Sequence, residues 1–303
     1  MKKLILSVLA IAAMTSCTKS SVEDLDPNAP VEIKFGAGIN MMSRAAIESN
    51  GNLPTTTVTG IQILRGTDGS TPAFATVSNV ATTADLKIDG NFENISNSQY
   101  YESKTDAANF IAYYPAGTLT AGKVEFTIDG TTDIIAAPKA STTYSTTPSS
   151  VDFTFNHKLA RLKLVVKAEN QSAIDFYGDL ENAKIEVPSK LEMTIDANGT
   201  TGALTANATP TNITLDFATV ALNTNETPAG KDFIILPTVA PSAIKLTFAK
   251  VEEKSYDITG LVLEAGKITT LTVTVNATGI DFTSKITNWT NGGTNGETTV
   301  GGN

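Results

Sequence analysis

Apolar and polar residues alternate with a period of two in short runs along most of this chain. Gly, Pro, Asn or Asp breaks each run within a few residues. That pattern suits half-buried strands joined by turns and leaves no continuous stripe for a long amphipathic helix. The first run is the clearest: Val31, Ile33, Phe35, Ala37 and Ile39 share one parity, and Glu32, Lys34, Gly36 and Gly38 share the other. Further strands are expected at 58–64, 233–236, 244–248, 256–258 and 271–275, and one helical turn near 172–180. Asp89-Gly90, Asp129-Gly130 and Asn198-Gly199 each follow an alternating run and read as hairpin turns. Abundant threonine fits solvent-facing strand positions. The expectation is an all-β protein built of β-sandwiches.

The N-terminus carries an export signal. Lys2 and Lys3 precede an apolar stretch from Leu4 to Met14, and Ser16 stands before Cys17, the sole cysteine of the chain. The stretch is shorter than the ~20 residues of a membrane span. Met14-Thr15-Ser16-Cys17 loosely matches a lipobox, so residues 1–16 are expected to be removed and Cys17 acylated. A lone cysteine leaves no intrachain disulfide, so a hydrophobic core must hold the fold. Loss of Lys2 and Lys3 moves the net charge from −9 to −11, and an acidic surface argues against nucleic acid as a partner.

Residues 17–30 read as a polar, lipid-anchored tether. The remainder is long for one sandwich and is divided at a Ser/Thr/Pro cluster into an N-terminal sandwich, 31–150, and a C-terminal sandwich with a short polar tail, 151–303. Val151, Phe153, Phe155, His157 and Leu159 share one parity, whereas Leu162, Leu164 and Val166 share the other. A bulge or bend is therefore expected near Ala160-Arg161.

Catalytic chemistry is poorly supplied. One histidine and one cysteine argue against a Cys/His pair, a zinc site and a Ser-His-Asp triad, and no glycine loop opens a helix to cradle phosphate. No catalytic residue, metal or cofactor is assigned. His157, isolated on a strand, reads as structural. Asp196-Ala-Asn198-Gly199 lacks most ligands of a calcium loop. Trp289 is the sole tryptophan, and most Phe and Tyr fall on burial patterns, which weighs against an aromatic glycan platform.

Several segments resemble the fimbrillin-like proteins of Gram-negative gut and oral anaerobes, in their minor-fimbrillin-like branch. They are Phe110-Ile-Ala-Tyr113-Tyr114-Pro115, Phe153-Thr-Phe155-Asn-His157-Lys-Leu159-Ala-Arg161-Leu162, Phe233-Ile-Ile-Leu236-Pro237 and Leu263-Glu-Ala-Gly266-Lys267, with Ser43-Arg44-Ala45 and Ile286-Thr-Asn-Trp289 near the ends. The resemblance implies two tandem transthyretin-like, Greek-key β-sandwiches, exported as an outer-membrane lipoprotein precursor and assembled at the cell surface into a fimbrium. It also implies an arginine-specific protease that cuts between Arg44 and Ala45. The cut removes the first strand, anchored by Val31, Ile33, Phe35 and Ile39, and another fimbrial subunit fills the groove. Burial of those four side chains would contribute ~6–12 kcal/mol in all, comparable with the ~5–15 kcal/mol stability of a whole domain.

The donor is less plain. Thr290–Asn303 holds Val300 as its only large apolar residue, so Ile280, Phe282 and Ile286 are the better donor candidates, although they also read as the final strand of the second sandwich. In that second case the subunit accepts a strand without giving one, which suits a tip or accessory position. The rival to a pilus subunit is a lipid-anchored glycan-binding protein or adhesin that meets a host or bacterial surface ligand without polymerising. A carboxylate hydrolase ranks far behind both.

Overall fold

A computed structural model describes residues 30–39, 57–87, 90–144, 150–209, 211–289 and 294–300, with the backbone alone at 38–39 and 294–300. The first part of the chain forms β1 (Glu32–Ile39), β2 (Val58–Arg65), β3 (Thr82–Leu86), β4 (Phe92–Glu93), β5 (Gln99–Tyr100), β6 (Ala107–Tyr114), β7 (Thr118–Thr120), β8 (Lys123–Thr127), β9 (Ile135–Thr143) and β10 (Ser150–His157). The rest forms β11 (Ala160–Ala168), α1 (Gln171–Tyr177), β12 (Leu180–Pro188), β13 (Lys190–Ile195), β14 (Thr201–Ala206), β15 (Asn212–Phe217), β16 (Thr227–Pro228), β17 (Phe233–Ile235), β18 (Ala243–Phe248), β19 (Val251–Asp257), β20 (Lys267–Asn276), β21 (Gly279–Asn288) and β22 (Thr294–Val300). The protein is nearly all β, and α1 is the expected helical turn. Its N-cap is Asn170, whose side chain accepts from the Ala173 amide.

The first sheet runs β4-β3-β2-β6-β9-β10-β1-β5. Its strands are antiparallel except β1, which lies parallel to β10. The sheet curls until its ends meet: Gly36 in β1 bridges Asn91, and the Ala37 amide donates to the Gly90 carbonyl at 2.9 Å. Inside the curl lie Ile33, Phe35, Ile61, Ile63, Phe110, Phe153 and Phe155. On its outer face β6 packs Ile111 and Tyr113 against a second sheet, β14-β13-β8-β7. Burial on both faces explains why 110–113 is continuously apolar rather than alternating.

That second sheet mixes the two parts of the chain, because β13 pairs with β8 from Lys190–Thr127 to Thr194–Lys123. The β13–β14 hairpin turns at Asn198-Gly199 as expected. Gly199 holds φ at +80°, and a Cβ there would meet the Phe74 ring at 2.8 Å. Phe74 comes from the connection after β2 and plugs this second core. The third core lies between β16-β11-β20-β21-β22 and β15-β12-β18-β19.

Two expectations change. The bulge or bend expected near Ala160-Arg161 is a break between two sheets. The chain leaves the first sheet at Lys158-Leu159 and enters another as β11, so the inward face is redefined. Strand β10, which begins at the expected boundary, pairs with β1 and β9 on the N-terminal side. Asp129-Gly130 makes no hairpin, since β8 and β9 belong to different sheets. The Asp129 carboxylate instead accepts from the Thr131 and Thr132 amides, at 2.8 and 3.2 Å, to turn the crossing.

Replacing Phe74 with Ala is expected to cost about 3–5 kcal/mol, since the surrounding glycine backbones cannot collapse into the space. Denaturant unfolding measures it, and a loss under about 1 kcal/mol would mean the ring is no plug.

Candidate functional site

Strand β1 is buried on one face. Ile33 and Phe35 are 1% and 8% exposed, Ala37 is half-buried beside them, and Lys34 points outward. Phe35 meets Phe110 edge-on at 5.1 Å and stacks on Phe153 at 6.0 Å, and Phe92 closes on Phe153 from behind. These are the offset and edge geometries that aromatic pairs favour. Outside, the ammonium of Lys34, together with the Ser98 hydroxyl, holds the Glu32 carboxyl below its ordinary pKa.

The backbone of β1 is held along both sides. Parallel pairing with β10 runs from Lys34–Ser150 to Ile39–Phe155. On the other side Glu32 pairs with Tyr100, Ile33 pairs with Gln99, and the Tyr101 amide donates to the Val31 carbonyl at 3.1 Å. Gly90 closes the seam. A Cβ on it would lie 2.4 Å from the Ala37 carbonyl oxygen, and its φ of +86° also favours glycine. Gly90, part of a hairpin signal in the sequence, is therefore also where the rest of the sheet touches β1.

Of the four expected anchors, Ile33 and Phe35 are fully enclosed and Val31 is half-buried. Ile39 ends the strand, and its side chain lies outside the described residues, as do Cys17, Arg44 and Ala45. The two enclosed anchors contribute ~3–6 kcal/mol, less than expected for four but still a large share of a domain's stability. Phe110, Phe153, Phe92 and Gly90 complete the site. Sequence periodicity marks the phenylalanines as core without revealing which strand they hold.

The remaining arginines are fixed in strands. Arg65 in β2 donates to both Asp68 oxygens, at 2.9 and 3.1 Å, and lies over the Phe110 ring. Arg161 in β11 is buried and donates from Nε to Asp232 at 2.6 Å. Burial pushes the Asp232 carboxyl up, and Arg161 opposes that rise.

Candidate donor residues Ile280, Phe282 and Ile286 lie on β21. Ile280 and Phe282 are 2% and 1% exposed in the third core, and Ile286 is half-buried. Strand β21 pairs with β20 over its whole length and with β22 on its other side. It is an internal strand of its own sheet, between β20 and β22.

His157 is a structural tie. Its Nδ1 meets the Asp133 carboxylate at 2.5 Å, and its ring stacks on Trp289 at 4.5 Å. Burial pushes the Asp133 carboxyl up, against the pull of His157. The three side chains join the segment before β9, the end of β10 and the end of β21. No group of three or more potential metal ligands occurs among the described residues, and none of their helices is long and apolar enough to cross a membrane.

A trough of about 520 Å³ crosses the outer face of β15-β12-β18-β19. Its charges pair across strands, Lys184 with Glu253 at 3.6 Å and Lys245 with Glu186 at 3.4 Å, and no aromatic ring lines it.

A family model described as fimbrillin-like matches residues 43–289. A relative in Bacteroides uniformis, named as a candidate fimbrium subunit, Fim1C, is 28% identical over 320 residues and covers 98% of this chain and 99% of its own. Two solved structures, described as candidate cell adhesion proteins of Bacteroides uniformis and Bacteroides ovatus, each share the fold at a TM-score of 0.56. They are 19% and 20% identical, and they cover 86% and 87% of this chain and 99% of their own.

Replacing Phe35 with Asp is expected to leave little folded protein, since a carboxylate would enter the Phe110–Phe153 pocket without a partner. Wild-type thermal stability in that variant would mean β1 lies outside the core.

Proposed function

The chain belongs to the fimbrillin-like family, and we propose that it is a non-enzymatic fimbrial subunit whose first strand is exchanged for a strand of another subunit. The observation that carries this reading is the seat of β1: a strand with Ile33 and Phe35 enclosed, joined to the body through residues 40–56 and closing the curl of the first sheet. If that strand were lost, the backbone of β10 and the segments at 90–91 and 99–101 would lose their partner. An extended segment from elsewhere would restore both the hydrogen bonds and the side-chain packing.

Processing between Arg44 and Ala45 would release the strand. Proteases cut exposed, extended chain, whereas Arg65 and Arg161 sit in paired strands and hold carboxylates. Arg44 is the remaining arginine. In this reading the precursor reaches the outer membrane through acylated Cys17, and the cut form enters the fimbrium at the cell surface. The two-sandwich division at residue 150 belongs to the same proposal, with β10 and the β13–β14 hairpin lent to the N-terminal sandwich. A tip or accessory position fits best, because β21 is committed to its own sheet and 290–303 offers one large apolar residue, Val300.

Arg44→Ala is expected to give an uncut, monomeric, membrane-retained protein with no fibre incorporation, read by immunogold microscopy and gel mobility. Fibres decorated as in wild type would contradict the reading.

A further inference from the structure

Resting on the strand-exchange reading, the question becomes which strand the vacated seat would take. Position 33 is a closed site for a branched aliphatic side chain, 1% exposed beside the Gln99–Tyr100 pairing. Position 35 is an aromatic slot, with Phe110 at 5.1 Å edge-on and Phe153 at 6.0 Å face-on. Position 37 pairs in register with Phe153 and holds an alanine packed, half-buried, against the first core. On the outer face, a Cβ on residue 36 would come within 2.4 Å of the Asp152 carboxylate, which accepts from the Ser150 hydroxyl at 2.7 Å, so a side chain there would have to displace that carboxylate. Parallel pairing with β10 fixes the direction, because reversal would move each side chain to a different slot.

We propose that the seat of β1 selects a strand of a different subunit, running parallel to β10. That strand carries a branched aliphatic residue, an aromatic residue two positions later and a small residue two positions after that. A folded second copy of this chain does not qualify. The same spacing recurs at Ile174-Asp-Phe176-Tyr-Gly178, Leu215-Asp-Phe217-Ala-Thr219 and Ile280-Asp-Phe282-Thr-Ser284. The first is wound into α1, and the large side chains of the other two are buried in the third core, so a copy could lend a segment only by unwinding that helix or opening that core.

The test uses the full chain cut in 40–56 by an arginine-specific protease and mixed with labelled nine-residue peptides. Native mass spectrometry then scores displacement of the original fragment. A peptide of sequence 31–39 is expected to enter, its Phe35→Ala form to bind on the order of a hundredfold more weakly, and its Phe35→Leu form to fall between them. The cut chain alone is expected to remain monomeric. Equal entry of all three peptides would overturn the side-chain code while leaving exchange intact. Homopolymers of the cut chain would overturn the requirement for a different subunit. Failure of every peptide, the 31–39 sequence included, would overturn strand exchange and the code together.

Discussion

The curled first sheet depends on one seam. Strand β1 meets β10 on one side and the 90–91 and 99–101 segments on the other, so it joins the two ends of a sheet that would otherwise stand open. Its two enclosed side chains and its backbone bonds together account for a stabilisation of the same order as a domain's net stability. A strand that matters this much makes the N-terminal core conditional on whatever fills that seat.

The second half of the chain guards against this dependence. Hairpin β13–β14 pairs with β8, Phe74 seals the junction, and the Asp133–His157–Trp289 stack ties the end of β10 to the end of β21. These ties do not touch β1. They hold the partner of β1 in place from its far end, which is what a seat needs if its occupant is to change without the body unfolding. Of the motif residues that carried the family resemblance, His157 and Trp289 belong to this stack, and Arg161 pairs with Asp232.

Much of this was legible in the sequence because its physics is local. The alternation of Ile33 and Phe35 with Lys34 and Gly36 marks β1, and Asn198-Gly199 marks the β13–β14 turn. What could not be read was partnership between distant strands. The parity change around Lys158 has the same local signature whether a strand bulges or crosses to another sheet. Asp129-Gly130 carries a turn signal that says nothing about which sheets the flanking strands join. Residues 190–206 alternate as any surface hairpin would, so their insertion into the N-terminal part leaves no trace at short range. Gly90 is the sharpest case: its turn was visible, but its approach to the Ala37 carbonyl depends on residues more than fifty positions apart.

The central claim is that the seat of β1 changes occupant, and the most direct measurement is the N-terminal residue and intact mass of the protein recovered from surface fibres. The account predicts a chain beginning at Ala45, with the first strand gone and another subunit's strand in its place. A fibre-borne chain that begins at acylated Cys17 and retains residues 31–39 would contradict it, because the seat would then have kept the strand it was made with.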